Sequence, residues 1–313
     1  MNRREFIKDV IVAGAGAMLS KEAWSASPVP PLARRPYGNT GIDLSLIGLG
    51  GIVVMNVEQE QANDIVAWAV DRGVNYFDVA PTYGNAQDRL GPALKPYRDQ
   101  SFLACKTTRR DAVGARAELE NSLRVLQTDH FDLYQLHGLT RIEEVEQCLG
   151  PGGAMETFLK AREEGKVRHL GFSAHHVESA LLAMSRFKFD SVLFPFNAVC
   201  IERGDFGRQV LDEAKRRHIA RLGLKAIAWS PVPRGATRKY PKCWYSPQDD
   251  KARAELLLRY ALDLPITATV PPGDARLFKL CVRAAGHYKR LSDAEREQLQ
   301  AAITEIEPIF KHA

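Results

Sequence analysis

Eight short apolar runs, each separated from the next by a segment of helical periodicity, set the terms for what this chain can fold into. They are Leu44–Leu49, Asn75–Val79, Phe102–Lys106, Phe131–Leu136, Val167–Phe172, Ser191–Pro195, Leu222–Ala228 and Ile266–Val270. The runs are nearly continuous rather than alternating, as a strand reads when both its faces are buried. Amphipathic stripes lie between them. Ala62, Ile65, Val66, Ala69 and Val70 share one helical face, and Gly73 stands where a glycine ends a helix. Leu119, Leu123 and Leu126 make a second stripe, and Met155, Phe158 and Leu159 a third, stopped at Gly165. Val210, Leu211 and Ala214 make a fourth, and Ala254, Leu257, Leu258 and Ala261 a fifth. Strands covered on both faces and joined through helices are parallel. Eight of them predict an α/β fold closed as a (β/α)8 TIM barrel, a form that takes about 250 residues before insertions. An open dinucleotide-binding sheet is the weaker choice, because Gly48-Leu-Gly-Gly is not a Gly-x-Gly-x-x-Gly turn.

The remaining segments fall into place around that rhythm. Pro28 to Pro36 is proline-rich and reads as an extended linker, and Asn39-Thr-Gly between two short β-prone pieces predicts a hairpin. Leu139–Gly153 and Ser230–Asp250 interrupt the alternation after strands four and seven. Both therefore belong to the C-terminal face, where barrels keep their active sites. Ser292-Asp-Ala-Glu opens a capped terminal helix over 291–306. The net charge of +5 is spread along the chain without a basic, aromatic-interleaved block, which argues against a nucleic-acid partner. Five cysteines stand far apart with no Cys-x-x-Cys pair, so no metal site is expected. Cys105 precedes Lys106 in a strand and should point outward, into packing.

Four polar residues stand at or just beyond the ends of consecutive strands: Asp78, Tyr83, Lys106 and His137. Singly, each has an ordinary explanation: a cap, a packed loop, a structural ion pair, a satisfied core histidine. Together, at successive strand ends, they are what a barrel active site demands; the resemblance described next implies reduction of a carbonyl, which needs a hydride and a proton for the developing alkoxide. A free tyrosine, with pKa ~10, is a poor proton-transfer group at neutral pH. A nearby lysine lowers that pKa, an aspartate keeps the lysine charged, and a histidine can donate to the carbonyl oxygen.

Asp78-Val-Ala-Pro-Thr-Tyr-Gly followed by Leu90-Gly91 resembles the signature of the aldo-keto reductase superfamily. The resemblance spans about residues 36 to 305 and is densest through strand five. It implies that Asp78, Tyr83, Lys106 and His137 form the catalytic tetrad, and that a hairpin plugs the barrel bottom. It also implies NADP(H), or NAD(H), as cofactor and a small carbonyl or alcohol as substrate. Ser173 would hydrogen-bond the nicotinamide carboxamide. Gly171-Phe-Ser-Ala-His resembles a branch with a C-terminal ferredoxin-like extension in some members, whose cysteine cluster this chain lacks. His175 would contact cofactor or substrate, or cap the helix that follows. In Ala228-Trp-Ser-Pro, Trp229 would stack on nicotinamide or serve as a core tryptophan, with Ser230 beside it. Arg234 belongs to a basic, aromatic loop that either closes over a pyrophosphate or is merely exposed. Gly273 and Arg276 follow strand eight, Arg276 toward a 2′-phosphate. Departures from the family pattern are Ala174 for an asparagine, Leu193 for a glutamine, Asp274, and the missing Glu-Asn pair for adenine. A binding or sensing barrel with little turnover is the alternative function.

The N-terminus carries an address. Arg3-Arg4-Glu-Phe-Ile-Lys8, the small-residue apolar run Val10–Leu19 and an Ala/Ser patch resemble a twin-arginine export signal. The run is shorter than the roughly 20 apolar residues a membrane span needs. The expected organisation is a signal over 1–26, a linker over 27–35 and a barrel over 36–313. Removing the signal takes four basic and three acidic residues and leaves a charge of +4. A monomeric periplasmic enzyme, folded and loaded with cofactor before export, is the expectation.

Overall fold

A computed structural model describes residues 30–312. The central sheet is built from eight parallel strands: β3 (Leu49–Gly50), β4 (Tyr76–Asp78), β5 (Phe102–Thr107), β6 (Phe131–Leu139), β7 (Val167–Ala174), β8 (Ser191–Phe194), β9 (Ala220–Leu224) and β12 (Ala268–Val270). A parallel bridge from Ile47 to Thr269 joins the two edges, with the Gly48 amide donating to the Thr269 carbonyl at 3.0 Å. The sheet is thus the closed barrel that the strand–helix rhythm predicts.

Alternation along each strand produces two cores. Tyr76, Ala104, Leu133, Leu193, Leu222 and Ala268 form an inner cluster. Their neighbours Phe77, Leu103, Tyr134 and Val192 pack outward beneath the helices. The helices are α1 (Gln59–Val70), α2 (Ala86–Leu94), α3 (Ala112–Val125), α4 (Ile142–Leu149), α5 (Ala154–Glu163), α6 (Val177–Arg186), α7 (Ala198–Gly204), α8 (Arg208–Arg216), α9 (Lys251–Asp263), α10 (Ala275–Gly286) and α11 (Asp293–Ile303). Ser292 and Glu295 cap α11 reciprocally, as their spacing predicts. Gly91 in α2 has a packing reason: a Cβ there would lie 2.8 Å from the Val125 carbonyl oxygen and 2.9 Å from Leu126.

The predicted hairpin forms from β1 (Arg34–Pro36) and β2 (Asp43–Ser45). Its turn sends Tyr37 into the inner cluster, against Phe102 at 5.0 Å and His169 at 5.4 Å. The proline-rich stretch is less of a linker than its composition suggests. Leu32 is buried, and Arg35 donates to the carbonyls of Leu262 (2.8 Å) and Ile266 (2.9 Å).

Two of the apolar runs divide between the barrel and another sheet. Leu44 and Ser45 pair within the hairpin, so the first barrel strand starts later. The seventh ends at Leu224; a turn follows, and Ala228–Pro231 forms a separate strand, β10, antiparallel to β11 (Tyr245–Pro247). This β10–β11 ribbon fills the long interruption after strand seven. Helix α4 fills the one after strand four. All five cysteines are free thiols and buried, and Cys105 packs in the outer core as expected.

Candidate active site

The C-terminal ends of β4, β5 and β6 bring four polar side chains together. Asp78 and Lys106 form a buried ion pair, and Lys106 also donates to the Val79 carbonyl at 3.3 Å. Tyr76, two residues before Asp78 and so on the same face, donates its hydroxyl to the other Asp78 carboxylate oxygen at 3.1 Å. Tyr83 reaches the pair from the following loop, where consecutive turns (Tyr83 N to Ala80 O, 3.1 Å; Ala86 N to Tyr83 O, 3.0 Å) fold the chain back over the strand ends. The Lys106 ammonium lies 5.4 Å from the centre of the Tyr83 ring. The His137 ring meets the Tyr83 ring edge-on, at 5.6 Å and 85°.

His137 is positioned from behind. The Arg110 guanidinium donates to its carbonyl at 2.9 Å and pairs with Glu144 at 3.1 Å. Gly138 then takes φ +63°, which glycine adopts without penalty, and its amide donates to the Ser173 hydroxyl at 2.8 Å.

Burial dominates the protonation states. It pulls His137 down to about 3, with Lys106, Arg110 and Lys225 adding to the effect, so the imidazole is neutral. Its buried Nδ1 has no protein partner. Burial alone would lower Lys106, but Asp78 and Tyr83 more than offset it and the net shift is upward, so Lys106 is charged. Tyr83 departs from expectation. Lys106 does act to lower its pKa, but burial acts more strongly in the other direction, and the phenol is held protonated. A charged lysine, a protonated phenol and a neutral imidazole around one point can deliver a proton to an oxygen and hydrogen-bond it.

A family model, Aldo/keto reductase family, matches residues 46–291. The chain belongs to the aldo/keto reductase family. Among curated members it is 24% identical over 310 residues to the uncharacterized oxidoreductase YqkF of Bacillus subtilis, covering 86% of this chain and 96% of that one. It is 29% identical over 274 residues to 6-dehydroglucose reductase of Novosphingobium aromaticivorans, covering 78% and 81%. The crystal structure of an aldo-keto reductase from Klebsiella pneumoniae in complex with NADPH superposes with a TM-score of 0.67 at 22% identity, covering 91% of this chain and 98% of that one, a likeness of fold.

The residues expected to hold an aldo/keto reductase cofactor are distributed unevenly. Ser173 is buried beside His137, its hydroxyl proton still available to a ligand after it accepts from Gly138. His175 does not cap the next helix; His176 does, accepting from the Ser179 amide. His175 instead faces Lys225, at 3.1 Å. Trp229 does not end the seventh barrel strand. It is half-buried against the outer core on the β10–β11 ribbon, beside Ser230, which pairs with Ser246. Arg234 is exposed on that ribbon's loop. Lys242 ties the loop to the Val53 carbonyl at 3.1 Å. A Cβ on Gly273 would lie 2.3 Å from Ile52, so its backbone runs tight against the loop after β3. Arg276 is exposed over the Tyr240 ring at 5.1 Å, and Asp274 grips its guanidinium through two contacts of 3.0 Å. Asp274 also caps α10 through the Arg276 amide. A nicotinamide therefore finds suitable groups at Ser173 and the tetrad. A 2′-phosphate at α10 meets a carboxylate already paired with the arginine expected to receive it.

Lys225 was not among the expected site residues. It follows β9 at φ +62°, its ammonium near His175, Trp244 (5.8 Å) and Phe310 (5.9 Å). A lone lysine inside the apolar run Leu222–Ala228 is the signal that would have found it. Arg110 and Phe310 left no comparable trace.

Proposed function

We propose that this protein is an NAD(P)(H)-dependent oxidoreductase that interconverts an aldehyde or ketone and its alcohol. The observation that carries the reading is the buried Asp78–Lys106 pair beneath Tyr83, with neutral His137 edge-on to the same ring. The nicotinamide, held near Ser173, would supply or accept the hydride. Neutral His137 donates a hydrogen bond to the carbonyl oxygen and orients it. Tyr83 hands its phenolic proton to that oxygen as negative charge develops. Lys106, fixed by Asp78, stabilises the tyrosinate left behind. In the alcohol-oxidising direction the same proton returns to Tyr83. A phenol protonated at rest favours reduction. The family expectation is NADP(H). The Asp274–Arg276 pairing supports acceptance of NAD(H) as well.

Fluorescence titration with NADPH and NADH, followed by carbonyl reduction in Tyr83→Phe, tests this. The expected outcome is saturable binding of at least one cofactor and a loss of 10²–10⁴-fold in kcat with binding retained, the range for removing a general acid. Full activity in the variant would overturn the mechanism. Binding without turnover in the wild type would favour the sensing alternative, to which the self-paired Arg276 lends support.

The export reading rests on Arg3-Arg4 and the apolar run after it, which lie outside the described residues. We propose periplasmic delivery of a folded, cofactor-loaded monomer of the Gly-x-Ser-x-His branch. Recovery from the periplasm, lost in an Arg3→Lys/Arg4→Lys variant, is the expected result of cell fractionation; equal cytoplasmic recovery of both chains would refute it.

A further inference from the structure

Lys225 stands apart from the other cations of the barrel mouth. Lys106 is neutralised by Asp78, and Arg110 is paired with Glu144. Among the described residues no carboxylate pairs with Lys225. The groups that face it are His175 at the end of β7, His137 at the end of β6, Lys106 from β5, Cys200 on α7, and Cys243 and Trp244 on the ribbon loop. Phe310 closes the far side, packed on His175 at 5.2 Å and on Trp244 at 5.6 Å.

The backbone is bent to place it there. Left-handed φ at a residue with a long side chain is uncommon, and such positions are strained and held in place by their surroundings. Here the turn after β9 swings the lysine toward the mouth, in the neighbourhood of His137, whose protonation its charge suppresses. The lysine itself titrates low: burial brings it down to about 7, Lys106 contributes in the same sense, and Cys200 and Cys243 only partly oppose this. A charge in that position lacks a counter-ion.

We propose that Lys225 is the anion-binding residue of the substrate pocket, and that the carbonyl substrates of this enzyme carry a carboxylate which it receives. The inference rests on the carbonyl-reductase reading and narrows it to oxo acids and their hydroxy acids. A carboxylate entering the cage of His175, Trp244 and Phe310 supplies the missing negative charge, and Lys225 holds its proton more tightly in the complex than in the free enzyme. With Lys106 neutralised by Asp78, the uncompensated charge at Lys225 supplies the attraction.

The test uses a matched pair of probes, benzoylformate and its methyl ester, with the full chain. For the wild type kcat/KM should favour the acid over the ester, and Lys225→Met should reduce that preference by on the order of 10- to 100-fold, as expected when a charged hydrogen bond is removed. Lys225→Arg should keep part of the preference, and Lys225→Gln serves if the methionine variant does not fold. Apparent affinity for the acid should fall as pH rises through about 7 while affinity for the ester stays level, and the pH dependence should vanish in Lys225→Met. A wild type that prefers the ester, an unchanged preference in Lys225→Met, or a loss confined to cofactor affinity would overturn the proposal. If no carbonyl turns over, the reductase reading fails. Quenching of the Trp244 fluorescence then decides the anion site alone: by benzoylformate and not its ester in favour, by both or neither against.

Discussion

Lys106 carries a charge with no water around it, so its stability rests on Asp78. Removing one partner of a buried pair leaves an unpaired charge, which typically destabilises by about 3–5 kcal/mol, whereas replacing both by apolar residues can be neutral. Asp78→Asn should therefore lower the free energy of unfolding, measured by urea denaturation, by an amount in that range. The double variant Asp78→Leu/Lys106→Met should recover much of the stability but none of the activity. Unchanged unfolding of Asp78→Asn would show that the pair is not as dry as its burial indicates. At this scale the sequence was informative where chemistry sits at strand ends in chain order, as with Asp78, Lys106 and His137. It marked Lys225 only as a lone lysine in an apolar run, because the left-handed turn falls on the lysine itself and not on a glycine. It was silent on Phe310 and Arg110 because their roles come from contacts with residues remote in sequence, His175 and Trp244 for one and the His137 carbonyl for the other.

At the scale of elements, period and composition identify the alternating layers, and pairing decides where each ends. Leu44 and Ser45 read as part of the first barrel strand, but the hairpin offers them an antiparallel partner that the barrel cannot. Ala228 reads as the end of the seventh strand, yet its partner is Pro247, nineteen residues on in a ribbon that no local propensity predicts. Trp229 travels with it onto the ribbon. The prolines before the barrel suggest a spacer. Arg35, bonded to two carbonyls at the far end of the fold, makes the end of that stretch part of the closure instead. Strand propensity is local, whereas register is a property of two segments at once. The cap of helix α11 was legible to the residue because a capping box is local, whereas the helix ends at Ile303, short of the expected 306.

At the scale of the molecule, closure removes the sheet's free edges: the bridge at Ile47 and Thr269 makes the first strand a neighbour of the last. Such long-range pairing ties opening of one strand to opening of the whole ring. The five cysteines, which form no bonds with one another, gain a use from this. They sit on β5, α4, α7, the ribbon loop and α10, and burial pushes the thiols of Cys105, Cys148 and Cys243 up to about 11 and raises Cys200 and Cys281 as well. Each is silent to an alkylating reagent until its own surroundings part. Pulsed alkylation read by mass spectrometry should mark Cys243 first, by local lifting of the ribbon, and Cys105 only at the rate of global unfolding; equal rates under native conditions would contradict this. The chain thus holds five stopwatches, started by different parts of one ring coming apart.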